Sequence, residues 1–225
     1  MTTDDDMVGF DGLQNLQLLS FADSQLTGLI PVWLSKLKSL EVLFLGGNQI
    51  TRPVPSWLGA LPRLLYIRLA HNRLLGEFPK QLCKLPRLVY ERNIAPQVDS
   101  YEFELPLFGT VITDPSFLPC KLSFFGASIN LSNNNLEGDI PNEIGQLQLL
   151  RELRLDSNNF SGIIPNQISN LKNLENLNFS LNHLSGKIPS SLVSLHFLKQ
   201  FNVSYNLQGP IPISHSNPKL QCFCI

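Results

Sequence analysis

The chain has 225 residues, 43% of them hydrophobic and 16% charged, with 17 Lys+Arg against 18 Asp+Glu for a net charge of -1. That balance argues against a phosphate-backbone binder, which needs a basic face, and no apolar run approaches the roughly 18 residues that span a bilayer as a helix. Sixteen Pro and fourteen Gly exclude a helical bundle, while the apolar share is too high for disorder.

Residues 1–12 carry neither a basic n-region nor an apolar h-region, so they read as a leader without a signal peptide. From Leu13 a regular period takes over, with further starts at Leu37 and Leu61. The second block reads Leu37, Leu40, Leu43, Leu45, Asn48, Ile50, Val54, Pro55 and Leu58; the third reads Leu61, Leu64, Ile67, Leu69, Asn72, Leu74, Gly76, Phe78, Pro79 and Leu82. The first block matches, except that Ser24 stands where Asn is expected. Residues 13–84 are therefore three leucine-rich repeats.

Each recurring position has a physical role. Alternation such as Leu43-Phe44-Leu45 predicts a short strand with its leucines inward. The Asn is expected to turn inward and bond to backbone groups where the chain bends. Gly76 and its equivalents suit a positive φ or a close backbone approach. The Pro has no N–H to give to a ladder, so it sits where the chain leaves the strand. One unit cannot bury its own apolar edges, so the units must stack. The predicted fold is an α/β solenoid of leucine-rich repeats, with short parallel strands on the concave side and an island interrupting the series.

The sixth, eighth and tenth residues of each block should face outward from the concave sheet. In the first three blocks these are Leu18, Ser20 and Ala22; Val42, Phe44 and Gly46; Tyr66, Arg68 and Ala70. In the later blocks they are Ser128, Asn130 and Ser132; Glu152, Arg154 and Asp156; Asn176, Asn178 and Ser180; Gln200, Asn202 and Ser204. The later face is polar. The earlier one holds Leu18, Val42, Phe44 and Tyr66 beside Arg68. Two readings stand for this patch. It is an interaction site, or its side chains pack on each other and under the segment that follows.

That segment, residues 85–122, opens at Leu85 like a repeat but loses the consensus; the period calls for a restart at Gly109, and none comes before Ser123. Its stretch Tyr101-Glu102-Phe103-Glu104-Leu105 alternates aromatic and acidic residues, the pattern of a half-exposed strand. Such a strand offers an edge for a peptide to extend, against the alternative of a decayed repeat. A segment this long is more often functional. Cys83 and Cys120 flank it, either bridged, which would close the island, or as two separate thiols. Residues 123–212 resume four repeats, among them Ile129, Leu131, Asn134, Leu136, Gly138, Ile140 and Pro141. Residues 213–225, ending in Cys222-Phe223-Cys224-Ile225, read as a degenerate C-terminal cap.

Four N-x-S sequons, at Asn130, Asn159, Asn178 and Asn202, are candidate glycosylation sites, although the repeat consensus itself generates such words. No Gly-x-Ser-x-Gly elbow, phosphate loop or metal spacing occurs, and His71, His183, His196 and His215 fall on different coils. The chain is expected to bind rather than catalyse, with no cofactor and no metal.

The Gly-x-Ile-Pro tail resembles the plant-specific class of this repeat. The island, four coils before the end, resembles that of plant receptors for tyrosine-sulfated peptides, the phytosulfokine receptors and the tyrosine-sulfated glycopeptide receptors. The words that carry the likeness are Ser100-Tyr101-Glu102-Phe103-Glu104-Leu105-Pro106, Gly59-Ala60-Leu61-Pro62, Gly76-Glu77-Phe78-Pro79-Lys80, Glu143-Ile144-Gly145-Gln146-Leu147, Gln167-Ile168-Ser169-Asn170-Leu171 and Ser194-Leu195-His196-Phe197-Leu198. The resemblance implies a plasma-membrane receptor with its repeats outside the cell, a sulfated peptide ligand and a co-receptor kinase of the somatic embryogenesis class. It makes Tyr101, Glu102, Phe103, Glu104 and Leu105 candidate peptide contacts. Phe44, Tyr66 and Arg68 join them from the concave-face argument, Arg68 because a guanidinium suits a sulfate. The family also carries a signal peptide, a cysteine-paired N-terminal cap, upstream repeats and a transmembrane helix. This chain shows none of them and so reads as a fragment of the ectodomain, with no membrane span of its own. Two other readings remain, a leucine-rich repeat defence protein that inhibits a microbial enzyme and a nonfunctional truncated receptor product.

Overall fold

The structure is a computed structural model that describes residues 10–89, 104–105, 120–121 and 125–206. Its strands, in chain order, are β1 (Leu18–Ser20), β2 (Thr27–Gly28), β3 (Val42–Phe44), β4 (Gln49–Ile50), β5 (Tyr66–Arg68), β6 (Leu75–Glu77), β7 (Glu104–Leu105), β8 (Cys120–Lys121), β9 (Ser128–Asn130), β10 (Asn135–Asp139), β11 (Glu152–Arg154), β12 (Asn159–Ser161), β13 (Asn176–Asn178) and β14 (Gln200–Asn202). Seven of them form one parallel sheet in the order β1-β3-β5-β9-β11-β13-β14. The register puts Leu18, Val42, Tyr66, Ser128, Glu152, Asn176 and Gln200 side by side. These are the sixth positions of the repeat, in line.

Opposite the sheet, six of the coils turn through a short helix that starts after the repeat's proline: Val32–Lys36 after Pro31, Ser56–Ala60 after Pro55, Lys80–Lys84 after Pro79, Asn142–Gln146 after Pro141, Asn166–Asn170 after Pro165 and Ser190–Ser194 after Pro189. The fixed φ of proline suits that entry, and the missing N–H is not needed there. These elements are 3-10 rather than α, because the stretch between the proline and the next leucine, such as Ser56–Ala60, is too short for a hydrogen-bonded α-helical run. Neighbouring helices sit so close that a Cβ on Gly59 would collide with the carbonyl of Gln81.

The leucines between sheet and helices form one continuous core, including Leu43, Leu45, Leu58, Leu64, Ile67, Leu131, Leu153 and Leu155, all fully buried. Full burial of each such side chain stabilises by roughly 1.5–3 kcal/mol. The inward Asn is confirmed as a ladder. Asn72 Nδ2 donates to the carbonyls of Leu45 in the preceding coil and of Leu69 and Ala70 in its own, while its Oδ1 accepts from the Ile50 N–H. Asn134, Asn158 and Asn182 repeat the pattern. In the first coil Ser24 has no such reach. Its hydroxyl donates to the Ala22 carbonyl of its own coil, and its backbone N–H donates to Asn48 Oδ1.

The interrupted coil is organised differently from the sequence expectation. Leu85 does not open a block that is abandoned. Leu85 and Leu88 are fully buried and hold the first two leucine positions of the fourth coil, with the Leu88 N–H donating to the Leu85 carbonyl as Leu150 does to Leu147. Ile129, Leu131 and Asn134 supply the rest of that same coil. Strand β9 pairs directly with β5, Ile67 beside Ile129, and the helix Lys80–Lys84 packs on Asn142–Gln146. In the second coil only Glu41 and Val42 separate Leu40 from Leu43; at the equivalent place in the fourth coil, residues 89–128 separate Leu88 from Ile129. The island is an insertion within one coil, and the solenoid runs through it without a break. Cys83 lies in the helix before it as a fully buried free thiol.

Candidate functional site

The concave sheet gathers the outward residues of the first three coils where the insertion returns to it. Phe44 and Tyr66 stack with ring centroids 5.2 Å apart, and Phe125 closes on both, 5.5 Å from Phe44 and 5.1 Å from Tyr66 in edge-on geometry. Edge-to-face contacts of this kind contribute about 0.5–1.5 kcal/mol each beyond the area they bury. Val42, on the same strand as Phe44, is fully buried. The apolar patch is thus a small core of its own that seats the C-terminal root of the insertion, and it is not an open apolar surface. Phe125 escaped the sequence reading because it falls outside the block consensus. The adjacent pair Phe124-Phe125, just before the repeat resumes, was the available signal.

Arg68 remains exposed beside this cluster and shares a side-chain hydrogen bond with Tyr66. Burial pushes the Tyr66 phenol above its ordinary pKa, with the Glu152 carboxylate adding to the shift; the Arg68 guanidinium pulls it back. The phenol is therefore neutral over the physiological range, and its oxygen accepts from the Arg68 guanidinium. Two strands further along, Arg154 pairs with Asp156 at 3.3 Å, and the hydroxyl of Ser128 donates to Glu152 at 2.7 Å. The structure thus sets Tyr66, Arg68, Glu152 and Arg154 in one charged and phenolic strip that starts at the aromatic cluster. Spacing puts Glu152, Arg154 and Asp156 on this face but does not show which charges neighbour a tyrosine across the insertion.

Of the island candidates, Tyr101, Glu102 and Phe103 lie outside the described residues. Glu104 and Leu105 form β7, which pairs antiparallel with β8 so that Glu104 stands opposite Lys121 and Leu105 opposite Cys120. The insertion therefore contains a two-stranded antiparallel element.

The sequons divide. Asn130, Asn178 and Asn202 sit on the concave strands, and each Oδ1 accepts the N–H of the serine two positions on. Asn159 is on β12, away from that sheet, and its side chain is exposed. Among the described residues no helix is long and apolar enough to cross a membrane.

Comparison with known proteins agrees with this architecture. The family model described as leucine rich repeat matches residues 2–50, and a second, described as Leucine Rich Repeat, matches residues 63–85, 127–147, 149–171 and 173–195. No curated protein matches the chain in sequence. Among solved structures, the complex of PEPR1 with AtPEP1 shares 30% identity at a TM-score of 0.71, over 94% of this chain and 24% of that one. The ectodomain of the plant membrane receptor kinase GASSHO1/SCHENGEN3 from Arabidopsis thaliana, in complex with CASPARIAN STRIP INTEGRITY FACTOR 2, shares 31% at 0.70, over 90% of this chain and 20% of that one. The Arabidopsis receptor kinase HAESA, with the peptide hormone IDA and the co-receptor SERK1, shares 29% at 0.67, over 88% and 27%. This chain spans about a quarter of these proteins. With the repeat models covering the coils on both sides of the insertion, the stacked strands and the asparagine ladder, the chain belongs to the leucine-rich repeat family.

Proposed function

We propose that this chain is part of the extracellular ligand-binding surface of a plant plasma-membrane peptide receptor, and that it takes an extended peptide between its insertion and its concave face. The observation that carries this reading is the Phe44–Tyr66–Phe125 cluster, which ties the insertion's root to the concave sheet beside an exposed arginine. Arg68, with Arg154 two strands away, then faces an anionic group of the peptide, for which a sulfated tyrosine is the proposed identity. A guanidinium recognises such a group by paired charge-assisted hydrogen bonds. Phe44 and Tyr66 act in this scheme as the seat of the insertion, and the island residues Tyr101, Glu102, Phe103, Glu104 and Leu105 as the opposing wall. Among the similar ectodomains, HAESA is in complex with the peptide hormone IDA and the co-receptor SERK1, and GASSHO1/SCHENGEN3 with CASPARIAN STRIP INTEGRITY FACTOR 2. A co-receptor kinase of the somatic embryogenesis class is the proposed second partner here.

The test is calorimetric titration of the secreted, folded chain with a tyrosine-sulfated peptide and its unsulfated twin. Binding that favours the sulfated form at least tenfold, and that is lost both in Arg68→Ala and on replacing residues 90–124 with a short linker, supports the reading. Equal affinity for the two forms would overturn the sulfate assignment. Binding that survives removal of residues 90–124 would overturn the role of the insertion.

A further inference from the structure

We infer that, of the four sequons, Asn159 is the one at which this fold carries an N-linked oligosaccharide, while Asn130, Asn178 and Asn202 are structural asparagines that stay bare. The three concave sequons share one arrangement. Asn130 Oδ1 accepts both the N–H and the hydroxyl of Ser132, at 3.1 and 2.7 Å. Asn178 Oδ1 does the same with Ser180, at 3.1 and 2.9 Å, and Asn202 Oδ1 accepts the Ser204 N–H at 3.0 Å. In each, the asparagine and the serine that would mark it as an acceptor close a local turn as the chain leaves the strand.

Room is also short at these positions. Asn130 and Asn178 each stand in register beside Arg154 on the intervening strand, and Asn178 stands beside Asn202, with neighbouring strands about 4.8 Å apart. Asn130 is 6% exposed, and Ser132 and Ser180 are equally buried. A sugar on Asn130 or Asn178 must break the turn or spread over the strands on both sides, and one on Asn202, on the end strand β14, must break the turn that holds Ser204.

Asn159 differs in its exposure and in its hydrogen bonding. Phe160 is buried in the core, so the side chains on either side of it turn outward, and Asn159 is exposed. No hydrogen bond engages its side chain among the described residues. It lies on β12, between β10 and the next coil, whose His183 and Ser185 N–H groups donate to the Phe160 and Gly162 carbonyls, so its side chain is engaged by neither neighbour and projects from the outer row. The next outward position after Ser161 on the same row is Ile163, which is 63% exposed. An oligosaccharide at Asn159 lies over this apolar side chain and leaves the concave face free for a ligand.

The site choice is tested apart from the receptor reading by sending the full chain through the secretory pathway of insect cells behind a heterologous leader. Intact mass and glycopeptide mapping of the folded, secreted protein should give one glycan, at Asn159. It should vanish in Asn159→Gln and in Ser161→Ala, and persist in the triple variant Asn130→Gln/Asn178→Gln/Asn202→Gln. A folded protein with a glycan on any concave asparagine, or with Asn159 unmodified, overturns the inference. Peptide binding by the deglycosylated protein reports separately on the receptor reading.

Discussion

Coils one to three and coils four to seven share one backbone plan and differ in what they present on the concave side. The first set offers a buried Val42 and the rings of Phe44 and Tyr66, which Phe125 covers; the second offers Ser128, Asn130, Glu152, Arg154, Asn176 and Asn178 and leaves most of them half-exposed. The same repeat can therefore seat an insertion or face solvent, depending only on the outward positions. The inward positions keep the two sets continuous across the insertion.

The sharpest way to break that continuity is at the join. Asn134 accepts the Leu74 N–H and donates to the carbonyls of Leu69, Leu131 and Ser132, tying the third coil to the fourth. Asn134→Ala leaves several buried backbone groups without partners, at roughly 1–3 kcal/mol each where no water replaces the bond. The expected loss is about 4 kcal/mol in urea unfolding, against about 2 kcal/mol for Asn48→Ala, whose ladder site is only partly buried on its upstream side. A single cooperative transition that shifts as a whole would mark the two sets as one folding unit. Two separate transitions in the variant would mark them as two.

The apolar set is probed next. Phe125→Ala removes two ring contacts from a half-buried site, so about 2 kcal/mol should be lost by thermal melting. Tyr66 should become accessible to iodination at the same time. An unchanged melting temperature would mean that Phe44 and Tyr66 hold each other without the insertion's root.

How much of this was legible in the chain depends on whether a feature repeats. Leu43, Asn72 and Gly76 occupy positions that recur once in each block, so one physical role explains many residues, and the register of the sheet followed from spacing alone. The insertion point did not follow. Leu85 and Leu88 fit the start of a repeat, but whether Ile129 continues that coil or begins another is decided by which strand β9 pairs with, and its partner Ile67 lies far back in the sequence, beyond the whole insertion. Phe125 likewise acts once and leaves no periodic trace. The turn before each Asn was a third blind spot. Asp23, Gly47, His71, Asn133, Ser157, Leu181 and Tyr205 all take a positive φ there, and only Gly47 advertises it.

Cys83 reports on the join from the other side of the sheet. It is buried where the helix of the third coil meets that of the fourth, and burial, reinforced by Glu143, pushes its thiol pKa from 9.0 up to about 12. The folded state thus holds the proton more tightly than the unfolded state. The stabilisation is present in full below pH 9 and is lost as the pH rises from about 9 towards 12. By pH 10 the loss should be about 1.4 kcal/mol relative to pH 8, and Cys83→Ala should flatten that part of the profile. Iodoacetamide should leave the native thiol unmodified on the timescale that labels the urea-unfolded chain. Fast labelling in native buffer would show that the two sets part readily at this point.

The smallest effect concerns the turn that leads off each concave strand. In the first set this position includes Gly47; in the second it includes Leu181, with φ 54° and its side chain half exposed. A left-handed conformation costs a non-glycine residue about 1–2 kcal/mol, while glycine adds back about 0.5–1 kcal/mol of unfolded-state entropy. Leu181→Gly should therefore stabilise by about 0.5 kcal/mol. The converse change, Gly47→Ala, should cost about 1–2 kcal/mol, since its Cβ also collides with the Asp23 carboxylate. Opposite signs would establish that the strain is set by the repeat geometry and is the same in both sets of coils. A loss of more than about 1 kcal/mol in Leu181→Gly would instead mean that this leucine packs against the coil beside it, and the second set would owe part of its stability to the side chains along that edge.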